Sequence, residues 1–183
     1  MPQTEEADAA HEPEVSAKAV RVLMPSPIGP IGIELTGTAV TLLRIDPPEP
    51  ELVSFIPLQR IDGSDFLDEV FGRLSEYFAG ARRKIELAVD FGPCGASVLV
   101  RRVLKETTKI PYGKTRTYQV LAETASVPEG APQVAAILRE NPLPILVPCH
   151  RAVADSHRLG EYVGGLDRKR WLLELERQSL ESA

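Results

Sequence analysis

Cys149 and His150 are neighbours in a chain that holds only two cysteines and three histidines. They close the segment Asn141-Pro142-Leu143-Pro144-Ile145-Leu146-Val147-Pro148-Cys149-His150-Arg151, which is stiff, apolar and punctuated by proline. A thiol attacks only as thiolate, so Cys149 needs a base or a positive charge nearby. His150 can be that base. Adjacent side chains rarely point the same way, so the contact calls for a loop or a bridging water, and the imidazole needs an orienting partner behind it. Glu176 is the candidate partner. On a helix expected over Asp167 to Leu180, Leu172 and Leu173 lie one turn before it and Ser179 and Leu180 one turn after. No basic residue stands at helical spacing from it. Glu174, between Arg170 and Arg177, reads instead as an ordinary solvated carboxylate. Glu176 faces the apolar side, where a carboxylate is costly unless partnered. It is either a rim carboxylate at the edge of the core or the back of a Glu176–His150–Cys149 relay, and we expect the relay.

The elements that must hold these residues are legible in outline. Residues 1–17 are acidic and aperiodic, and are expected to form a disordered tail. Runs rich in β-branched residues follow at Val20 to Met24, Ile31 to Leu35 and Val40 to Ile45. Turns at Pro25 to Pro30 and at Gly37 separate them, as in an antiparallel meander. Phe66, Leu67, Val70, Phe71, Leu74, Tyr77 and Phe78 recur at helical spacing up to Gly80, a C-cap signal. Ile85, Leu87 and Val89 alternate as a further strand. This first part presents no catalytic grouping and closes near Pro93.

Beyond it, Val98 to Thr107 is expected to be a helix. Thr117 can cap a short helix running through Ala125, and Pro132 suits the first position of another, which stops before Asn141-Pro142. The last two are either a packing pair or a helix-turn-helix. The expectation is an α+β chain in three parts: the tail (1–17), a small antiparallel-sheet unit with a helix (18–93), and a mostly helical, winged-helix-like unit (94–183).

Composition bounds the function. With 183 residues the chain can bury a real core. Two cysteines exclude a disulfide-stapled secreted fold, and no apolar run approaches the roughly 20 residues that span a bilayer. The net charge of −5 argues against a nucleic-acid partner. That average conceals a split, −8 over residues 1–96 and +3 over residues 97–183. Such an asymmetry is either chance scatter or a sign that the halves face different partners.

One combination carries a family resemblance. It comprises Ile110-Pro111-Tyr112-Gly113, Thr117-Tyr118, Asn141-Pro142, Pro148-Cys149-His150-Arg151, Gly160-x-Tyr162-x-Gly164-Gly165 and Arg168-Lys169-Arg170-Trp171-Leu172-Leu173. Together these resemble the 6-O-alkylguanine–DNA alkyltransferases over roughly residues 95–177, and Tyr77-Phe78-Ala79-Gly80 is more loosely similar to the family's N-terminal domain. The resemblance implies a DNA repair protein that flips an alkylated guanine out of double-stranded DNA and takes the alkyl group irreversibly.

It also implies roles. Cys149 is the acceptor, His150 the base acting through a water, and Glu176 the group that orients it. Asn141 braces the turn, and Tyr118 serves at the phosphate and as proton donor to the leaving guanine. Backbone groups of Cys149, Ala152 and Val163 read the base edge between Leu138, Pro144 and Tyr162. Thr117, Tyr118, Gln119, Pro132, Gln133, Arg139 and Arg151 meet DNA at the minor groove. No cofactor is implied, and the zinc of some relatives has no ligand set here. A monomer in the cytoplasm, or at the nucleoid of a prokaryote, is expected.

Three positions depart from the family pattern. Pro132 replaces an arginine that enters the base stack, Val163 lacks a hydroxyl, and Leu99-Val100 with Val103-Leu104 replace two pairs that hold aromatics. The competing function is a lesion-binding protein that recruits other factors without transfer. Relatives of that kind lack the cysteine, which this chain keeps. A Cys-His hydrolase is more remote, since no oxyanion hole is suggested.

Overall fold

A computed structural model describes residues 19–52, 54–57 and 65–182; the acidic segment 1–17 lies outside them. The chain is α+β, as the pattern predicts. Strands β1 (Val20–Met24), β2 (Ile31–Thr36) and β3 (Ala39–Ile45) form an antiparallel meander with Val22 opposite Ile33 and Ile33 opposite Leu43. This register puts the side chains of Val22, Ile31, Ile33, Val40 and Leu43 into the core. After the short helix α1 (Glu49–Leu52), strand β4 (Ile56–Pro57) adds to β1 in parallel, giving the order β3-β2-β1-β4.

Helix α2 (Asp65–Phe78) buries Leu67, Val70, Phe71, Leu74, Tyr77 and Phe78, the stripe read from the sequence. Gly80 ends it at φ +73°, a conformation only glycine takes cheaply, and a Cβ there would strike Ser179.

The strand expected around Ile85 to Val89 does not form. The segment is extended, but it meets β3 at a single bridge: Val40 N–H donates to the Ala88 carbonyl (2.9 Å) and Asp90 N–H to the Val40 carbonyl (3.0 Å). Further along the same edge, Leu43 N–H donates to the Pro142 carbonyl (2.8 Å), so the second half of the chain occupies the edge a longer strand would need.

The remaining elements are α3 (Val98–Thr108), β5 (Arg116–Thr117), α4 (Tyr118–Thr124), α5 (Ala131–Arg139), a 3-10 turn (Cys149–Arg151), β6 (Ala152–Val153) and α6 (Leu166–Glu181). Ser97 and Thr117 cap α3 and α4 by accepting from Val100 and Val120 N–H. Pro132 is the second residue of α5, not the first, behind a Gly130 cap. Its missing N–H is still one that the helix would leave unpaired. Parallel pairing of β5 with β6 ties the start of α4 to the strand that follows the 3-10 turn. A single buried cluster runs from Val22 and Leu74 through Leu104 and Leu121 to Leu143 and Leu172, so the core is continuous across both halves.

Candidate active site

The loop between α5 and the 3-10 turn is built around Asn141. Its Oδ1 accepts from Leu143 N–H (3.1 Å), and its Nδ2 donates to the Val147 carbonyl and to Cys149 Sγ, both at 3.1 Å. Prolines at 142, 144 and 148 stiffen this loop, and buried Ile145 is held at φ +75°. A β-branched residue there stores strain of about 1–3 kcal/mol, which the surrounding packing must offset. The product is a fixed, buried Cys149 at the head of the 3-10 turn. Burial pushes its thiol up to about 11, against the lowering effects of the Asn141 hydrogen bond and the Lys169 charge. At neutral pH the sulfur therefore rests as thiol, and a base must act at the moment of reaction.

His150, the next residue, is the candidate for that base. It is fully buried, and desolvation holds it below the usual histidine range, hence neutral, despite the opposing pull of Glu176. Its Nε2 lies 2.9 Å from Glu176 Oε1. Burial alone would raise Glu176, but the hydrogen bonds from His150 and Arg151 and the Arg151 charge outweigh it and hold the carboxyl down at about 2. An ionised carboxylate only accepts, so Nε2 carries the proton and Nδ1 keeps its lone pair. Nδ1 has no hydrogen-bond partner among the described residues. A buried, back-anchored imidazole thus offers an unused acceptor nitrogen one residue from the thiol.

Four residues reach Glu176, His150 among them. Arg151 grips it through Nε (3.1 Å to each oxygen) and Nη2 (2.8 Å to Oε1), with Nη1 on the Ile110 carbonyl at 2.8 Å. Gly113 N–H donates to Oε2 at 2.8 Å, and a Cβ at that glycine would collide with Leu180. Tyr77, from α2, donates its hydroxyl to Oε1 at 2.8 Å.

Two expectations change here. Arg151, expected on DNA, is buried with its guanidinium committed to Glu176 and Ile110. The N-terminal half, expected to contribute nothing, supplies Tyr77.

Lys169 also went unread. It is fully buried, donating to the carbonyls of Ala152 (2.6 Å), Leu159 (2.5 Å) and Glu161 (3.1 Å), and burial lowers its ammonium to about 8. It gathers the strand and loop beyond the 3-10 turn. The signal was present, because Lys169 stands three residues before Leu172 and seven before Glu176, on the one stripe α6 buries.

Of the other expected residues, Leu138, Pro144, Ala152 and Tyr162 are buried, and Val163 is half-buried. Ala152 N–H is taken by the Cys149 carbonyl, which leaves that carbonyl's second lone pair for a base. Tyr162 packs edge-on to His150 with ring centroids 6.2 Å apart, its buried hydroxyl without a partner among the described residues. Tyr118 donates to the Glu161 carbonyl (3.2 Å), and burial raises its phenol to about 12.

Thr117 caps α4. Gln119, Pro132 and Arg139 are exposed on α4 and α5, with Gln133 half-buried beside them. Among the described residues, no cluster of three or more His, Cys, Asp or Glu could hold a metal ion.

Comparisons with known proteins point to one family. The family model described as 6-O-methylguanine DNA methyltransferase, DNA binding domain, matches residues 99–178. A methylated-DNA–protein-cysteine methyltransferase of Mycobacterium leprae is 37% identical over 159 residues, 86% of this chain and 92% of the relative. One from Methanosarcina barkeri is 34% identical over 158 residues, 86% of this chain and 97% of that protein. The crystal structure of Mycobacterium tuberculosis OGT in complex with DNA matches with a TM-score of 0.74 at 33% identity, covering 87% of this chain and 93% of that one.

Proposed function

We propose, for a chain that belongs to the family of methylated-DNA–protein-cysteine methyltransferases, that it repairs DNA by moving an alkyl group from the 6-oxygen of guanine to its own Cys149. The observation that carries this reading is the buried Glu176–His150 pair, whose unpartnered Nδ1 belongs to the residue that follows a thiol braced by Asn141.

The flipped base enters between Leu138, Pro144 and Tyr162. The thiol proton passes through a bridging water to His150 Nδ1, and Glu176 stabilises the imidazolium that forms. Cys149 Sγ then bonds to the alkyl carbon while the bond from that carbon to guanine O6 breaks, leaving its electron pair on the base. Guanine regains a proton, for which Tyr118 is the donor, and the proton held on His150 passes back through solvent to the Tyr118 oxygen; burial raises the phenol to about 12, so Tyr118 stands protonated before the step. Thiol and alkylguanine thus become thioether and guanine. A thioether is a poor leaving group, so each molecule acts once.

Residues 94–183 bind DNA and accept the alkyl group in this reading, with 18–93 as the N-terminal unit. Thr117, Gln119, Pro132, Gln133 and Arg139 face the minor groove. The protein works as a monomer in the cytoplasm, or at the nucleoid of a prokaryote. No helix among the described residues is long and apolar enough to cross a membrane.

Mass spectrometry after incubation with duplex carrying 6-O-methylguanine tests the reading. One added methyl on Cys149 is expected, and none in Cys149→Ser. Tight binding with no adduct would instead make this a lesion-binding protein.

A further inference from the structure

We propose that Tyr77 of the N-terminal half is a positioning residue of the transfer reaction: through Glu176 it sets how strongly the relay holds a proton on His150. This rests on the function proposed above.

The geometry is specific. The Tyr77 hydroxyl is buried, 2.8 Å from Glu176 Oε1 and 3.3 Å from His150 Nε2, so it sits on the hydrogen bond between carboxylate and imidazole. A phenol of ordinary length hung on α2 reaches that point because α2 ends in close approach to α6 at Gly80 and Ser179. The two halves are pinned elsewhere as well. Leu43 N–H donates to Pro142 beside Asn141, and Arg168 of α6 donates to the carbonyls of Ile28 (2.6 Å) and Gly164 (3.1 Å) and to the Asp46 carboxylate.

The electrostatic consequence has a sign. The charged and titratable groups around the pair are Arg151 on the 3-10 turn, Lys169 on α6, Cys149, Tyr112 and Tyr162. Arg151 and Lys169 both oppose a proton on His150, and Glu176 favours one. By donating to Oε1, Tyr77 draws carboxylate charge away from the imidazole and so joins the opposing side. Its longer approach to Nε2 works the other way. The shorter bond, made to a charged acceptor, is the stronger of the two and decides the sign. Without the hydroxyl, Glu176 pulls harder and His150 holds its proton to higher pH.

Tyr77→Phe removes the hydroxyl and keeps the ring. Its single-turnover transfer rate should fall by up to about threefold on the acid limb and little on the neutral plateau, with affinity for lesion duplex unchanged. The acid limb of the rate profile should move up by about half a unit. Phe78→Leu, which loosens the same helix where it meets Trp171 at a centroid distance of 6.2 Å, controls for packing and should leave the limb in place. A limb that stays put or moves down in Tyr77→Phe, or moves equally in Phe78→Leu, overturns the proposal. Absence of any Cys149 adduct in the unaltered protein would instead overturn the function on which it rests.

Discussion

Around Glu176, both carboxylate oxygens are filled by His150, Arg151, Tyr77 and Gly113, and every side chain of the group is buried. On the outer faces of α4 and α5 the arrangement is the reverse. Of Gln119, Pro132, Gln133 and Arg139, one is a cation, and it is ion-paired with Glu161 at 3.0 Å. Gln119 donates to Glu123 at 2.9 Å. The chain has a densely bonded chemical centre and a thinly charged face on α4 and α5, where DNA is proposed to bind. On that proposal, discrimination comes from the flipped base, with phosphate attraction supplying little of the affinity. The +3 balance of residues 97–183 points the same way, and the −5 of the whole chain says little, since the acidic excess lies in the other half.

Glu176→Gln is the hardest blow to the chemical centre. A glutamine can still meet His150, but it does not stabilise an imidazolium and it leaves Arg151 as a buried, unpaired cation. Transfer should slow by about 100-fold or more, a loss in the range seen for removal of general-base assistance. Lesion-duplex affinity should stay within about twofold, because none of the α4 and α5 residues is touched. Stability should fall by about 3–5 kcal/mol, the usual effect of removing one partner from a buried pair. Single-turnover kinetics, duplex titration and urea unfolding read these three separately. Equal losses in rate and affinity would erase the distinction between the two regions.

Acid should separate them next. Glu176 is held at about 2, below the ordinary carboxylate range, so its contribution to stability is complete above that range and lost as pH falls toward 2. His150, held below its own ordinary value, acts in the same direction, because the unfolded imidazole takes up a proton first as pH falls. Together they should make unfolding free energy drop by on the order of 2–3 kcal/mol between neutral pH and pH 3. In Glu176→Gln the carboxylate's share of that drop should vanish while the His150 share remains, and charge changes on α5 should leave both intact. Urea midpoints across pH measure it.

The two regions also differ in how far the sequence discloses them. Periodicity located β1 to β3, α2 and α6, and placed Glu176 on the buried side of its helix, because an amphipathic pattern is local. It could not show that Arg151 turns inward, since the direction of a side chain in a three-residue turn depends on what lies across from it. The Ile85 to Val89 strand failed for a similar reason: its alternation is real, but Pro142 occupies the edge it would pair with. Tyr77 was visible as part of an apolar stripe. A tyrosine in such a stripe needs a partner for its hydroxyl, and that requirement was the available clue. Naming the partner as Glu176, 99 residues away, required the fold.

Pro132→Arg should have the smallest effect and bears most directly on the DNA face. Position 132 is exposed and is the second residue of α5, where an arginine is a good helix former and its added N–H can face water. The substitution should therefore leave the fold and the relay untouched while adding one cation where the duplex is expected to pass. Affinity for lesion duplex should rise roughly threefold to tenfold, the equivalent of about 1 kcal/mol. The slope of log affinity against log salt should steepen by about 1, as for one further phosphate contact. The rate of methyl transfer at saturating DNA should not change if chemistry limits it. If that rate rises as well, base flipping limits the reaction and the proline is what slows it. An affinity and slope that both stay flat would mean Gln133 or Arg116 already fills the position an arginine would take, and the DNA face would be less sparse than its charges suggest.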